Sequence, residues 1–229
     1  MEKYLQEMIN EHQQTWNSEH TRDFIDAFLL EMEKAKGVKD SDFNEQNLLL
    51  IIADLFSAGT ETTSSTLRWG LLFMLLYPDV QTYSRFTNEF RYSLEIRYAD
   101  IIPLSVPHMT YRDTHITGFS IPKGVLIMTN LSSVLKDAKV WEKPFQFHPE
   151  HFLDRDGKFV KREAIMAFSA GLRVCLGEQL ARMGLFLFFT TLLQRFFFQI
   201  PDGEPSPRED PVIVYNQIPH AYKFYAKVR

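Results

Sequence analysis

The only cysteine of this 229-residue chain, Cys175, lies in the segment Phe-Ser-Ala-Gly-Leu-Arg-Val-Cys-Leu-Gly, residues 168–177. A lone thiol has no partner within the chain, so an internal disulfide is excluded. Gly171 and Gly177 bracket the thiol, which lets the backbone turn tightly and a flat ligand approach closely. The apolar, helix-like run after Gly177 would direct unpaired N–H groups at the sulfur and stabilise a thiolate. Arg173 adds a positive charge suited to a carboxylate on whatever the sulfur holds.

A second candidate for chemistry is the segment Ala-Gly-Thr-Glu-Thr-Thr at residues 58–63. The hydroxyls of Thr62 and Thr63 can bond back to carbonyls one turn earlier and bend a helix. Gly59 leaves room where a side chain would otherwise fill space. Each segment also has an ordinary structural interpretation, because threonines are common in helices and a free cysteine such as Cys175 is usually a buried core residue.

The segment around the cysteine resembles the haem-binding signature of cytochromes P450, Phe-x-x-Gly-x-Arg-x-Cys-x-Gly. Every fixed position of that pattern is matched, by Phe168, Gly171, Arg173, Cys175 and Gly177. The resemblance implies that the cofactor is haem b (iron-protoporphyrin IX), with the Cys175 thiolate as its axial ligand. Such a thiolate pushes electron density onto the iron and favours O–O cleavage. The same resemblance gives Arg173 a haem propionate as its partner.

The threonine-rich segment is similar to the oxygen-binding groove of the same family, Ala/Gly-Gly-x-Glu/Asp-Thr-Thr. This similarity implies that Ala58 and Gly59 make space for dioxygen and that Glu61 and Thr62 form a proton-delivery pair. An acid and a hydroxyl within hydrogen-bond reach of a reacting oxygen are what proton transfer requires. His108, in the sequence Val-Pro-His-Met, is similar to the position that meets the other propionate.

The function implied by the resemblance is that of a haem-thiolate monooxygenase. This oxidoreductase would insert one oxygen atom of O2 into a small lipophilic substrate, such as a xenobiotic, a fatty acid or a steroid, and release the other as water. NADPH–cytochrome P450 reductase would donate the electrons, because the chain has no nicotinamide or flavin fingerprint. The expected location is the cytoplasmic face of the endoplasmic reticulum. Within the family, the sequence is most similar to microsomal family 2 and its 2D-like subfamily.

The bulk composition narrows the range of partners. With 45% apolar and 24% charged residues, the chain has the composition of an ordinary globular protein. Its formal net charge of −4 offers no basic surface for nucleic acid, so no nucleic-acid partner is expected. Residues 1–14 are polar and charged, which is unlike a secretory signal. No stretch reaches the roughly 20 apolar residues of a membrane span, so no span is expected in this chain.

The elements that must position these residues are mainly helical. Apolar spacing over residues 1–36 predicts one or two amphipathic helices that end at Lys36 and Gly37. Asp42 followed by Glu45 predicts a helix N-terminus with a reciprocal cap. Because no proline then occurs before position 78, one long helix of about 50 Å is expected over residues 43–77.

Later segments alternate between short strands and a second apolar helix. The predicted elements are a hairpin over 116–130, an irregular loop over 141–157, a helix over 178–199 and two edge strands within 212–228. The haem-thiolate loop and its following helix would occupy residues 165–200. The fold class expected for residues 1–229 is therefore a single domain, mainly α with small β-sheets: the C-terminal portion of the cytochrome P450 fold, built around a long central helix.

Two departures from the family pattern bear on activity. The chain corresponds only to the C-terminal half of such an enzyme. Where the family has Glu-x-x-Arg, residues 94–97 read Leu-Glu-Ile-Arg, so the glutamate is one position out of place and part of the preceding segment is missing. In the family this glutamate and Arg97 form a buried charged network with the segment that contains His151. Loss of one partner of such a network costs about 3–5 kcal/mol.

These departures support an alternative in which the chain is a non-catalytic P450-like fragment. It would act only by association, for example by competing with a full-length relative for partners, or would have no function. A Cys–His thiol hydrolase is disfavoured, because none of the seven histidines lies in a recognisable partner motif. A zinc site is disfavoured, because one cysteine and scattered histidines lack the required ligand spacing.

Overall fold

The computed structural model describes residues 2–82 and 96–229, in which helices predominate over short antiparallel strands. The helices are α1 (Glu2–Thr15), α2 (Phe24–Lys34), α3 (Glu45–Leu76), α4 (Pro78–Thr82), α5 (Leu131–Leu135) and α6 (Glu178–Arg195). The strands are β1 (His108–Met109), β2 (Thr114–Ile116), β3 (Phe119–Ile121), β4 (Leu126–Ile127), β5 (Phe196–Gln199), β6 (Pro211–Ile213), β7 (Gln217–Pro219) and β8 (Tyr225–Val228). This composition confirms the expected mainly α fold with small sheets. The chain divides into two compact units, residues 1–61 and residues 62–229.

The first unit packs α1, α2 and the start of α3 around a small apolar core. Its fully buried members include Leu5 and Ile9 of α1 and Leu48 of α3. Helix α2 begins after Asp23, whose side chain accepts a hydrogen bond from the N–H of Asp26 at 3.1 Å and so satisfies one of the free donors of the helix end. The predicted cap of α3 at Asp42 is wrong. The helix starts two residues later, and the Asn44 side chain accepts the bond from the N–H of residue 47 at 2.9 Å.

His12 connects α1 to the N-terminus of α2. Its Nδ1 lies 2.8 Å from the carbonyl oxygen of Met8, and its Nε2 lies 2.7 Å from Oδ2 of Asp23. Because both partners only accept hydrogen bonds, both ring nitrogens must carry a proton to satisfy them. Burial and the nearby Arg22 disfavour the charged ring, but the bonds to Met8 and Asp23 outweigh them and raise the pKa of His12 above its usual value.

Protonated His12 should therefore stabilise the first unit in a pH-dependent way. Its contribution is expected to be full below the unfolded histidine pKa of about 6.5 and to be lost as the pH rises through the raised folded value. Urea unfolding between pH 5 and pH 9 measures this for the wild type and for His12→Gln. The gap in unfolding free energy between them should shrink toward alkaline pH. A gap that stays constant over this range contradicts the assignment.

The second unit has a larger, aromatic core. The rings of Trp69 and Phe73 stack at 5.4 Å, and Phe147 stacks on Phe73 at 4.7 Å. The indole N–H of Trp69 donates to the carbonyl of Gln217 at 3.0 Å and so ties α3 to β7. The strands of this unit form four two-stranded antiparallel sheets, which pair β1 with β4, β2 with β3, β5 with β8 and β6 with β7.

Three predicted elements differ from the structure in this unit. The helix expected over 178–199 ends at Arg195, and the next four residues form β5, which pairs with β8. The hairpin expected over 116–130 has its turn at Thr117 and Gly118 but begins earlier, at Thr114. The tail contains three strands rather than two. The loop over 141–157 is irregular apart from one 3₁₀ turn and a single bridging residue.

Arg97 is a fully buried charged residue of the second unit, with none of its surface exposed. Its guanidinium donates to the backbone carbonyls of Leu135, Pro144 and Gln146 at 2.8–3.2 Å and lies 5.1 Å from the ring of Trp141. Among the described residues, no group accepts a bond from its Nε. Residues 94 and 95, where the displaced glutamate lies, are outside the described part of the chain.

His151 also lies against the Trp141 indole, with ring centroids 5.4 Å apart. Its Nε2 accepts a bond from the N–H of Lys143 at 3.2 Å. Burial, together with the positive charge of Arg97 and other nearby cations, lowers the pKa of His151 to about 4. The ring is therefore neutral, and the buried charge beside it belongs to Arg97 alone.

The helices in the described ranges do not meet the requirements of a bilayer span. None of them combines the length and the apolar character that a membrane span needs.

Candidate functional site

The predicted site residues are divided between the two units. Three of them, Ala58, Gly59 and Glu61, belong to the first unit. The others belong to the second unit: Thr62, His108, Phe168, Gly171, Arg173, Cys175 and Gly177.

The cysteine segment forms a loop that its own backbone closes. The N–H of Cys175 donates to the carbonyl of Phe168 at 2.9 Å, so the first aromatic residue and the thiol-bearing residue of the signature meet. Between them the chain turns through two positive φ angles, 65° at Ser169 and 78° at Gly171. Arg173 lies in the 3₁₀ turn that follows and is exposed. Cys175 is exposed as well, so its interpretation as a buried core cysteine is wrong.

Helix α6 begins three residues after the thiol. Gly177 occupies the N-cap position, and the N–H of Glu178 donates to the carbonyl of Cys175 at 3.3 Å. A Cβ added at Gly177 would lie 3.9 Å from the cysteine sulfur, which places the sulfur beside the start of the helix. The sulfur therefore lies beside the N-terminal end of an 18-residue helix, which carries a partial positive charge.

The surface beside the thiol is apolar and uncovered. Leu172, Leu176 and Leu180 expose 103%, 89% and 70% of their surface. Large apolar side chains left exposed so close together in the sequence are typical of a segment to which something binds. A soft thiolate with exposed leucines at neighbouring positions of the chain fits a large, flat, apolar ligand that carries a transition metal. The residues present therefore fit a haem group.

The threonine-rich segment lies on α3. Glu61 is exposed and Thr62 is half-buried. A Cβ added at Gly59 would meet no atom within 4 Å, so this position faces open space. The hydroxyl of Thr60 donates a hydrogen bond to the carbonyl of Phe56, one turn earlier, at 2.7 Å. A further such bond runs from Thr66 to the carbonyl of Thr62 at 2.8 Å; the bonds expected from Thr62 and Thr63 themselves stay a prediction.

His108 lies at the beginning of β1, half-buried and paired with Ile127 of β4. Its predicted contact with a propionate stays a prediction.

The haem-binding signature does not include a charged pair that the structure places beside the cysteine loop. Glu178 and Arg182 are joined by bonds of 2.6 and 2.8 Å, and the Arg182 guanidinium lies 5.2 Å from the centroid of the Phe168 ring. The four-residue spacing of opposite charges on one helix was a visible signal for the pair. The spacing could not reveal the aromatic contact, because Phe168 lies ten residues before the pair and reaches it only through the folded loop.

The conformation at Gly171 predicts the effect of a simple substitution. Gly171→Ala should destabilise the chain by about 1 kcal/mol, because a side chain at a φ of 78° is strained even though the new Cβ meets no neighbour. The matched control is Gly184→Ala within α6. It also points into open space but has a helical backbone, so alanine should stabilise by roughly 0.5–1 kcal/mol. Urea unfolding of both variants checks the opposite signs, and a loss of stability at both positions would rule out the conformational explanation.

The sequence matches the family model described as Cytochrome P450 over residues 1–87 and 95–224. The chain therefore belongs to the cytochrome P450 family. Among curated relatives it is 52% identical to Cytochrome P450 2D19 of Callithrix jacchus and 50% identical to Cytochrome P450 2D6 of Homo sapiens. It is 51% identical to Cytochrome P450 2D4 of Rattus norvegicus. This level of identity confirms the 2D-like resemblance.

The comparisons also define the extent of the chain. Each of these matches covers 98% of this chain but only about half of the relative, so the chain spans about half the length of the curated relatives it matches. The alignments run over 248 positions, more than the 229 residues of the chain, so the relatives carry residues that are missing from it. The family model leaves residues 88–94 unmatched. This gap falls in the segment before Arg97 where the sequence pattern predicts a deletion.

Proposed function

We propose that this chain is the haem-binding part of a haem-thiolate monooxygenase. The observation that supports this most directly is the exposed Cys175 thiol, which a closed loop holds at the start of α6 in a segment with exposed leucines. A thiol that served only the core would be buried.

In this proposal Cys175 ligates the iron of haem b. The loop holds its sulfur beside the N-terminal end of α6. Arg173 and His108 hold the haem propionates. Arg173 is an exposed cation two residues before the thiol, and His108 is the first residue of β1. Phe168, Gly171 and Gly177 shape the loop. When bound, thiolate-ligated haem supplies the activation of O2.

The residues of α3 would handle oxygen and protons. Ala58 and Gly59 leave space for dioxygen, which agrees with the open surroundings of Gly59. Glu61 and Thr62 hold and deliver protons. The carboxyl of Glu61 exchanges protons with water, and the hydroxyl of Thr62 donates a proton to the reacting oxygen. The exposure of Glu61 supports such an exchange.

The whole protein's activity is proposed on the same basis. One oxygen atom of O2 enters a small lipophilic substrate, such as a xenobiotic, a fatty acid or a steroid, and the other leaves as water. NADPH–cytochrome P450 reductase supplies the electrons, and the protein works at the cytoplasmic face of the endoplasmic reticulum. The 2D names of the matched relatives support these assignments by family membership.

The test is spectroscopic. The purified chain is titrated with haemin, reduced, and exposed to carbon monoxide. A thiolate-type spectrum is the expected result, and its absence at saturating haemin overturns the proposal for this chain.

A second candidate function rests on the same uncovered surface. The exposed leucines beside Cys175 continue along α6 with Met183 and Leu187, which expose 55% and 56% of their surface. A chain that spans half of its relatives could use this apolar face to associate with a full-length relative without binding haem. Co-purification with the full-length relative in a haem-free state would favour this function over catalysis.

A further inference from the structure

Four contacts connect the cysteine to the first turns of α6 in a closed circuit. Cys175 donates its N–H to the carbonyl of Phe168 at 2.9 Å, and the carbonyl of Cys175 accepts the N–H of Glu178 at 3.3 Å. The Glu178 carboxylate accepts two bonds from Arg182, at 2.6 and 2.8 Å. The Arg182 guanidinium completes the circuit above the ring of Phe168, 5.2 Å from its centroid.

The Phe168 ring also packs against apolar side chains. It packs in a small cluster around the buried side chains of Ile96 and Leu185. Leu185 follows Arg182 by three residues and therefore lies on the same face of α6. One helix face thus supplies both the cation and the apolar contact that fix the ring. Since Phe168 also receives the backbone bond of Cys175, fixing the ring fixes the closing residue of the thiol loop.

We propose that Arg182 is a positioning residue that fixes the orientation of the Cys175 thiolate. It acts through Phe168 and Glu178. The part of this proposal that concerns loop order stands on the contacts alone, whereas its consequence for haem rests on the proposed function. If Arg182 were only a surface ion pair, its removal would leave the loop unchanged, because partly exposed pairs contribute little by themselves.

Amide hydrogen exchange of the haem-free chain tests the loop directly. Arg182→Leu should speed exchange in peptides covering residues 168–177 by about fivefold, since it removes a cation–aromatic contact and an ion pair. Peptides covering residues 196–199, in β5, should exchange as in the wild type. The matched control is Arg208→Leu, which removes an exposed two-bond pair with Asp210 away from the loop. This control should leave both peptides unchanged.

Two further variants keep the test decisive. Glu178→Gln removes the negative charge of the pair, so it weakens the circuit from its other side and should also speed exchange in the loop, even if Arg182→Leu proves unstable. Arg182→Lys keeps the charge but not the planar guanidinium, so it should restore part of the protection. Wild-type exchange of residues 168–177 in both Arg182→Leu and Glu178→Gln would overturn the proposal.

The haem-bound chain supplies the second readout. With haemin, reduction and carbon monoxide, Arg182→Leu should show about a fivefold weaker haemin affinity and a smaller thiolate-type fraction than Arg208→Leu. An unchanged thiolate fraction in a variant whose loop has loosened would overturn the orienting role. If the wild type itself gives no thiolate-type spectrum, the proposed function fails, and the exchange experiment still decides whether Arg182 orders the loop.

Discussion

Replacement of Cys175 by alanine is expected to abolish the thiolate-type spectrum of the reduced, carbon monoxide-treated chain completely. It is the only cysteine, so no second thiolate is available in the chain to take its place. Its side chain is exposed, and substitution of an exposed residue should change the unfolding free energy by no more than about 0.5 kcal/mol. The variant should therefore lose haem ligation while keeping its fold.

A chemical experiment on the wild type provides the matching control. Alkylation of the haem-free chain should modify Cys175 alone, because it is the single thiol, and should reproduce the loss of the thiolate-type spectrum. The same treatment should have no effect on Cys175→Ala. Unchanged haemin uptake and colour in Cys175→Ala would show that the iron is held elsewhere, and the assignment of the site would fail.

The second large effect is expected at Arg97, whose replacement by methionine should destabilise the chain by roughly 1–3 kcal/mol for each carbonyl that it leaves without a donor. Arg97→Met removes the donors that bond the buried carbonyl of Leu135 and the partly buried carbonyls of Pro144 and Gln146, and acceptors left without a donor are costly. Burial lowers the pKa of Arg97 only to about 10, so the wild-type side chain stays charged at neutral pH. Since a domain is stable by only about 5–15 kcal/mol, the loss should be visible as a large shift in the urea midpoint.

Arg112→Met is the control for this substitution. Arg112 also lies over an aromatic ring, that of Tyr111 at 5.1 Å, but both side chains are exposed. Its replacement should change the unfolding free energy by about 0.5 kcal/mol or less. Equal stability of Arg97→Met and Arg112→Met would mean that the three carbonyls find water instead, and Arg97 would not be a structural centre of the second unit.

Local patterns were sufficient for much of the fold. The long helix was predictable from local features, namely its apolar residues and the absence of proline before Pro78. Both features concern residues that are neighbours in the sequence. The end of α6 was not, because residues 196–199 continue the apolar run of the helix. They become a strand only by pairing with residues 225–228, which are distant in the sequence. The side chain of Gln81 bonds both the N–H and the carbonyl of Phe198. This second distant contact also stabilises the strand.

The candidate site shows the same division. Sequence alone determined the identity of the thiol, its bracketing glycines and its arginine, because a signature of fixed spacing records which residue types the chemistry requires. Only the tertiary structure decided that Cys175 is exposed, that Phe168 closes its loop, and that Arg182 lies over the Phe168 ring. It likewise decided that backbone carbonyls surround Arg97. The physical reason is that exposure, ring contacts and carbonyl directions depend on segments that meet in space, and no spacing along the chain encodes them.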